Sequence, residues 1–238
     1  MNKNKLKAVL FDMDGVLYDS MRNHASSWIK VMFRHGFQIT EREVYMNEGR
    51  TGDETIDIVS KREGKETGKE ERKKIYAEKA KEFAACPPVV PVEGSLDLLK
   101  KVTDSGLFVM LVTGSGQPTL LDQLNKDFPG FFTREKMITS FDVTKGKPNP
   151  EPYLTALKRG NFEPDEAIVV ENAPLGIQAA KAAGIFTIAT NTGILSDAVL
   201  QEAGADIILP SIRAVYDNWD KLLKKRNAYF FSGISKLC

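Results

Sequence analysis

Leu6-Lys7-Ala8-Val9-Leu10-Phe11-Asp12-Met13-Asp14-Gly15-Val16-Leu17-Tyr18-Asp19-Ser20 is the stretch that decides the fold. Its opening, 6–11, is a short apolar run without a helical period, and it breaks off in Asp-Met-Asp-Gly. That pattern reads as a buried strand running into a tight loop. Two carboxylates two residues apart on such a loop cost stability unless something charged sits between them. Magnesium, a hard cation that seeks oxygen, meets that need. An Asp-Gly pair on its own is also an ordinary turn former.

Outward from this stretch the same rhythm recurs. Short apolar runs stand at 107–112, 137–138, 167–170, 186–189 and 206–209. Helical patterns lie between them. One opens at Ser95 and ends before Gly106, one opens at Pro150 and ends at Gly160, and one opens at Pro174 and ends at Gly184. Proline at the start and glycine past the end is the expected helix asymmetry. Strands alternating with helices predict an α/β fold, a Rossmann-like parallel sheet with helices on both faces.

Between 20 and 91 the rhythm breaks, and no strand is legible. Trp28, Ile29, Met32 and Phe33 fit one apolar helix face; Thr55, Ile56, Ile58 and Val59 fit a second; Ile75, Tyr76, Lys79 and Phe83 fit a third. Lysine and glutamate crowd 61–81, as on solvated helix faces. Cys86-Pro87-Pro88-Val89-Val90-Pro91 is a stiff linker. The expected organisation is a catalytic core of 1–19 and 92–225 and a small all-helical cap, 20–91, inserted after the first strand. A tail of 226–238 holding Tyr229-Phe230-Phe231 would follow.

The 238 residues suffice for such a core plus insert. A net charge of +1 suggests neither nucleic acid nor an anionic membrane as partner. No apolar run approaches the roughly 20 residues of a membrane span, and the first apolar stretch is too short for a signal peptide. Cys86 and Cys238 are too few for a disulfide framework or a thiolate metal site. A cytoplasmic protein with reduced thiols is expected; oligomeric state is not written in the sequence.

Open parallel sheets bind ligands at the carboxyl ends of their strands, and four polar groups fall there. The first is Asp12 with Asp14. The second is Thr113-Gly114-Ser115-Gly116, a hydroxyl with glycine-flanked amides that would cradle phosphate. In the third, Lys145-Gly146-Lys147-Pro148, Lys147 precedes a proline and so sits on extended chain, from which its ammonium could reach a phosphate. The fourth, Glu171-Asn172, adds oxygens for a cation. Each alone is an ordinary turn or surface feature. Their order, each at a strand end of one sheet, is not an arrangement that chance readily produces.

Together the four stretches resemble motifs one to four of the haloacid-dehalogenase-like hydrolase superfamily, over nearly the whole chain to about residue 223. The insert's position matches the small helical cap of the beta-phosphoglucomutase-like subgroup. The resemblance implies a magnesium-dependent phosphohydrolase in which Asp12 is the nucleophile and forms an aspartyl-phosphate. Asp14 would serve as general acid and base, and Thr113 and Lys147 would hold the phosphoryl oxygens. Asp12, Asp14, Glu171 and Asn172 would place the metal. Gly114, Ser115, Arg50, Glu48 and His24 would contact substrate.

Two departures bear on the substrate. Asn172 stands where the fourth motif commonly has a second acid. Gly116 and Gln117 stand where sugar-phosphate mutases carry a lysine and an asparagine for a distant second phosphate. Glu48-Gly49-Arg50-Thr51-Gly52 together with Glu171-Asn172-Ala173-Pro174-Leu175-Gly176 resembles the inorganic pyrophosphatases of the superfamily, so pyrophosphate is the favoured substrate. A beta-phosphoglucomutase or sugar-phosphate phosphatase is the alternative, and a non-catalytic binding protein a remote one.

Overall fold

The computed structural model describes residues 6–116 and 120–234, with side chains described for all of these except 120, 121 and 229–234. Six strands form one parallel sheet in the order β3-β2-β1-β4-β5-β6. They are β1 (Ala8–Phe11), β2 (Phe108–Val112), β3 (Met137–Ile138), β4 (Ala167–Glu171), β5 (Phe186–Thr190) and β6 (Ile207–Leu209). β1 is central: Phe11 stands level with Leu111 of β2 on one side and Val170 of β4 on the other. From β1 the chain builds outward to β2 and β3, then crosses back to add β4, β5 and β6 on the opposite side. The reversal of strand order therefore falls beside the carboxyl end of β1, where such sheets bind ligands.

Between β1 and the next core helix the chain makes four helices: α1 (Met21–Arg34), α2 (Glu41–Met46), α3 (Gly52–Arg62) and α4 (Lys69–Ala84). Periodicity shows three of them. α2 is too short to display a period and is fixed by its cap. The Thr40 hydroxyl accepts from the Glu43 amide at 3.2 Å, and the Glu43 carboxylate accepts from the Thr40 amide at 2.8 Å. The four helices share an apolar cluster that includes Ala25, Trp28, Val31, Met32, Val44, Ile56, Val59 and Ile75. The buried face of α1 is rotated from the expected one. Ala25 and Val31 turn inward, whereas Ile29 and Phe33 are 37% and 75% exposed. The two linkers to the insert run side by side, with the Asp19 amide donating to the Val90 carbonyl at 2.9 Å.

The rest of the chain covers both sheet faces. Its helices are α5 (Ser95–Asp104), α6 (Leu120–Asp127), α7 (Glu151–Gly160), α8 (Pro174–Ala182), α9 (Asp197–Glu202) and α10 (Ile212–Ile234). Successive strand side chains point to opposite faces. Val9 and Phe11 join Val109, Leu111 and Ile168 against α5 and α10, while Ala8 and Leu10 join Met110, Val112 and Val169 against α7 and α8. β1 is buried along its whole length and β4 likewise, so the runs 8–11 and 167–170 are continuously apolar rather than alternating. α10 runs without a break through residue 226, where the tail was expected to begin, and Arg226 is buried. Tyr229, Phe230 and Phe231 lie outside the described side chains. No helix among the described residues is long and apolar enough to cross a membrane.

Candidate active site

Asp12 follows the last residue of β1, and its amide donates to the Val170 carbonyl of β4 at 3.0 Å, which fixes the loop to the sheet. Lys147 meets it from the loop before α7. The side chain expected to reach a phosphate is 1% exposed. Its ammonium lies 2.5 Å from Asp12 Oδ1, 2.6 Å from Glu171 Oε1 and 3.2 Å from the Val112 carbonyl. Burial opposes the charge on Lys147, but Asp12 and Glu171 outweigh it and hold its pKa well above the usual lysine value. For Asp12 the balance runs the other way. Burial, with Glu171 and Asp14 adding to it against Lys147, pushes its pKa up to about 8.

Glu171 is fully buried and saturated. Oε1 accepts from Lys147 and from the Tyr153 hydroxyl at 3.0 Å, and Oε2 accepts from the Asn172 and Ala173 amides at 2.9 Å each. The residue expected to contact metal therefore spends its oxygens on orienting Lys147 and the β4–α8 turn. Tyr153, on the buried face of α7, is a member of the site that the sequence did not reveal, because nothing local sets it apart from core.

Asp14 is held from the insert side. Its Oδ1 accepts from the Ser20 hydroxyl at 2.5 Å and lies 3.2 Å from His24 Nε2. His24 Nδ1 lies 2.7 Å from the Lys79 ammonium. An ammonium has only protons to give, so Nδ1 accepts and the proton of neutral His24 resides on Nε2, directed at Asp14. Burial and Lys79 lower the pKa of His24, which keeps it neutral. Burial alone would raise the pKa of Asp14, but His24, Ser20 and Lys79 lower it below the usual value. Lys79 is 5% exposed, between the rings of Trp28 and Phe83 at 5.4 and 4.9 Å from their centroids. The sequence did carry one sign of it, a lysine on the apolar face of α4.

Glu48 enters the same cluster from the loop after α2. Its two carboxylate oxygens lie 3.4 and 3.3 Å from Asn172 Nδ2. Burial, then Asp12, Glu171 and Asp14, raise its pKa well above the ordinary glutamate value. Four carboxylates, Asp12, Asp14, Glu48 and Glu171, thus share a buried space with two ammoniums, Lys147 directly and Lys79 by way of His24. The Asn172 Oδ1 is buried there without a hydrogen-bond partner. An excess of negative charge beside an orphaned amide oxygen is what a hard divalent cation relieves, since such ions take oxygen ligands and keep several waters. Among the described residues no three His, Cys, Asp or Glu side chains converge as a ready-made metal site. The fit therefore depends on Asn172 and on oxygens arriving with a ligand.

Above these groups opens a cavity of about 430 Å³ lined by Asp12, Asp14, His24, Glu48, Arg50, Lys79, Thr113, Gly114 and Ser115. Lys147, Glu171 and Asn172 are not among its lining residues and form part of its buried support. The Thr113 hydroxyl accepts from the Ser115 amide at 3.0 Å, which shapes the glycine-flanked loop. Gly114 gives room to the insert: a Cβ there would stand 3.3 Å from the Gly49 carbonyl, a tight contact to which the loop would have to yield by a few tenths of an ångström. Arg50 donates through Nε to Asn47 Oδ1 at 3.1 Å, and among the described residues it has no carboxylate partner. The structure brings every sequence-nominated residue to one place. Gln117 lies outside the described residues.

A family model described as haloacid dehalogenase-like hydrolase matches residues 9–190. Validoxylamine A 7'-phosphate phosphatase of Streptomyces hygroscopicus subsp. limoneus is 33% identical over 213 residues, covering 88% of this chain and 95% of its own. The phosphorylated carbohydrates phosphatase of Thermotoga maritima is 32% identical over 203 residues, covering 84% and 92%. The solved structure of a candidate beta-phosphoglucomutase from Bacteroides vulgatus superposes with a TM-score of 0.90 at 55% identity, covering 94% of this chain and 91% of its own.

Proposed function

The chain belongs to the haloacid dehalogenase-like hydrolase family, and from that premise we propose that it is a magnesium-dependent phosphatase working through an aspartyl-phosphate on Asp12. The observation that carries the reading is the ion pair of Asp12 with a fully buried Lys147, beside a separately supported second acid, Asp14. Asp12 attacks phosphorus, and the bond from phosphorus to the leaving oxygen breaks as that oxygen takes a proton from Asp14. Water then attacks phosphorus, the bond to Asp12 breaks, and Asp14 takes the water's proton. Lys147, Thr113 and the 114–115 amides neutralise charge on the phosphoryl oxygens. A bound magnesium ion, held by Asp12, Asp14 and Asn172, would add charge neutralisation at the same oxygens. In this reading the insert, 20–91, acts as the cap over the core.

For the substrate, the named activities of the relatives favour a phosphorylated carbohydrate, and a 430 Å³ cavity has room for one. One observation favours pyrophosphate instead: Glu48 reaches Asn172 and crowds the space in front of Asp12. A phosphate-release screen that sets pyrophosphate beside hexose and hexitol phosphates separates the two. The carbohydrate reading requires a sugar phosphate to have the highest kcat/KM, and Glu48→Ala to lower all substrates alike. A lead of at least about tenfold for pyrophosphate, about 1.4 kcal/mol, lost selectively in Glu48→Ala, would install pyrophosphate. Phosphate release that persists in excess chelator would overturn the metal assignment, and no release from any substrate would leave a binding protein.

A further inference from the structure

Phe141 is 71% exposed, although large apolar side chains in this fold are otherwise mostly covered. It stands at the edge of the catalytic cavity, in the turn between β3 and α7. The turn beneath it is stiff. Asp142 Oδ2 accepts from the Thr139 amide and hydroxyl at 2.8 Å each, and Asp142 Oδ1 accepts from Arg134 and Arg159 at 2.8 Å each. The turn is also tied to the phosphate cradle, because the Ser140 amide donates to the Ser115 carbonyl at 3.1 Å. The ring lies over the backbone of Gly116: a Cβ there would overlap the Ser140 hydroxyl and come within 3.2 Å of Phe141 Cζ. The Ser140 hydroxyl thus fills the space that a side chain at 116 would need, and the Phe141 ring closes over it, one residue past the cradle.

We propose that Phe141 determines specificity by contacting the alcohol part of the substrate, and that this part presents an apolar face such as the C–H face of a hexose ring. The proposal rests on the phosphorylated-carbohydrate reading and specifies where the carbohydrate lies. Pockets for organic ligands pair a few polar groups with apolar and aromatic walls. Here the polar groups hold the phosphoryl end, and the exposed aromatic wall begins where the cradle stops. A ring fixed on a stiff turn loses little conformational freedom when it covers a ligand. Pyrophosphate has no apolar face and gains nothing from it.

Steady-state kinetics of the parent, Phe141→Ala and Phe141→Tyr on glucose 1-phosphate, glucose 6-phosphate and pyrophosphate test this. Phe141→Ala should raise KM for the better glucose phosphate at least about tenfold and lower its kcat/KM relative to pyrophosphate by the same factor. Phe141→Tyr should restore the ratio to within about threefold of the parent, since it keeps the ring. The melting temperature of Phe141→Ala should match the parent's, because the side chain is mostly in solvent. A glucose-phosphate to pyrophosphate ratio that stays put in Phe141→Ala overturns the proposal alone. A parent that hydrolyses pyrophosphate and neither glucose phosphate overturns the carbohydrate reading and the proposal together.

Discussion

Asp12 and Lys147 belong to the sheet, whereas Glu48 and Lys79 belong to the helical insert, and the two pairs are held in different ways. The sheet residues sit on loops that leave buried strands, fixed by backbone hydrogen bonds to neighbouring strands and by a saturated Glu171. The insert residues come from a loop and from a helix rich in lysine and glutamate; Glu48 meets the core at Asn172, and Lys79 reaches Asp14 by way of His24. A reacting group is held more precisely when its neighbours lock it by packing and hydrogen bonds. On the proposed reading the sheet would do the chemistry, and the insert would govern what reaches it and the surroundings of Asp14.

The largest effect should come from Asp12→Asn, which keeps the shape and removes the proposed nucleophile. Turnover should fall at least about a thousandfold, roughly 4 kcal/mol, while the fold by circular dichroism is retained. Near-parent activity in Asp12→Asn would break the assignment of chemistry to the sheet. Lys147→Met should follow. It leaves Asp12 and Glu171 buried without their cation, and removal of one partner from a buried ion pair costs about 3–5 kcal/mol. Urea unfolding in the absence of metal measures this; a loss under about 1 kcal/mol would mean the pair is no tighter than a surface one.

Lys79 sharpens the comparison through pH. Burial outweighs the attraction of Asp14 and Cys86 and lowers its pKa from 10.5 to about 8. Below pH 8 the lysine is charged in both folded and unfolded chains, and the full cost of burying that charge is present. Between 8 and 10.5 the unfolded chain still holds the proton while the folded one has shed it, so this group's contribution to stability rises with pH. Relative to Lys79→Met, which has no proton to lose, the parent should gain on the order of 2–3 kcal/mol between pH 7.5 and 10.5. Parallel stability curves for the two proteins would place Lys79 in solvent. The smallest effect is expected at the outer face of the insert. Glu82 accepts from Lys30 at 3.2 Å and from Arg34 at 2.8 Å, both more than half exposed. Glu82→Gln should change unfolding free energy by less than about 1 kcal/mol. A larger loss would show that the insert leans on its charged surface rather than on its apolar cluster.

Much of this architecture can be read in the chain itself. Asp12, Thr113 and Glu171-Asn172 each follow or end an apolar run, and the helices after Pro150 and Pro174 end where their glycines stand. Strand burial, turn chemistry and helix capping act over a few residues, so sequence displays them directly. The insert was legible as helical but less so in detail. α2 has only six residues, and an apolar stripe on α1 does not say which of its members meet a partner, so Ile29 and Phe33 were placed inward although they face out.

What only the tertiary structure decided are the contacts between distant parts. Lys147 reaches Asp12 across 135 positions, Glu48 meets Asn172 across 124, and Lys79 reaches His24 across 55. None of these separations leaves a period in the sequence, because each depends on how a helix or loop docks after it has formed. The sequence determined which oxygens and cations this protein has and at which strand ends they stand. Docking determined their surroundings: a lysine nominated for a phosphate becomes a buried cation between two carboxylates, and a second, on a helix dense in charge, becomes a buried donor to His24.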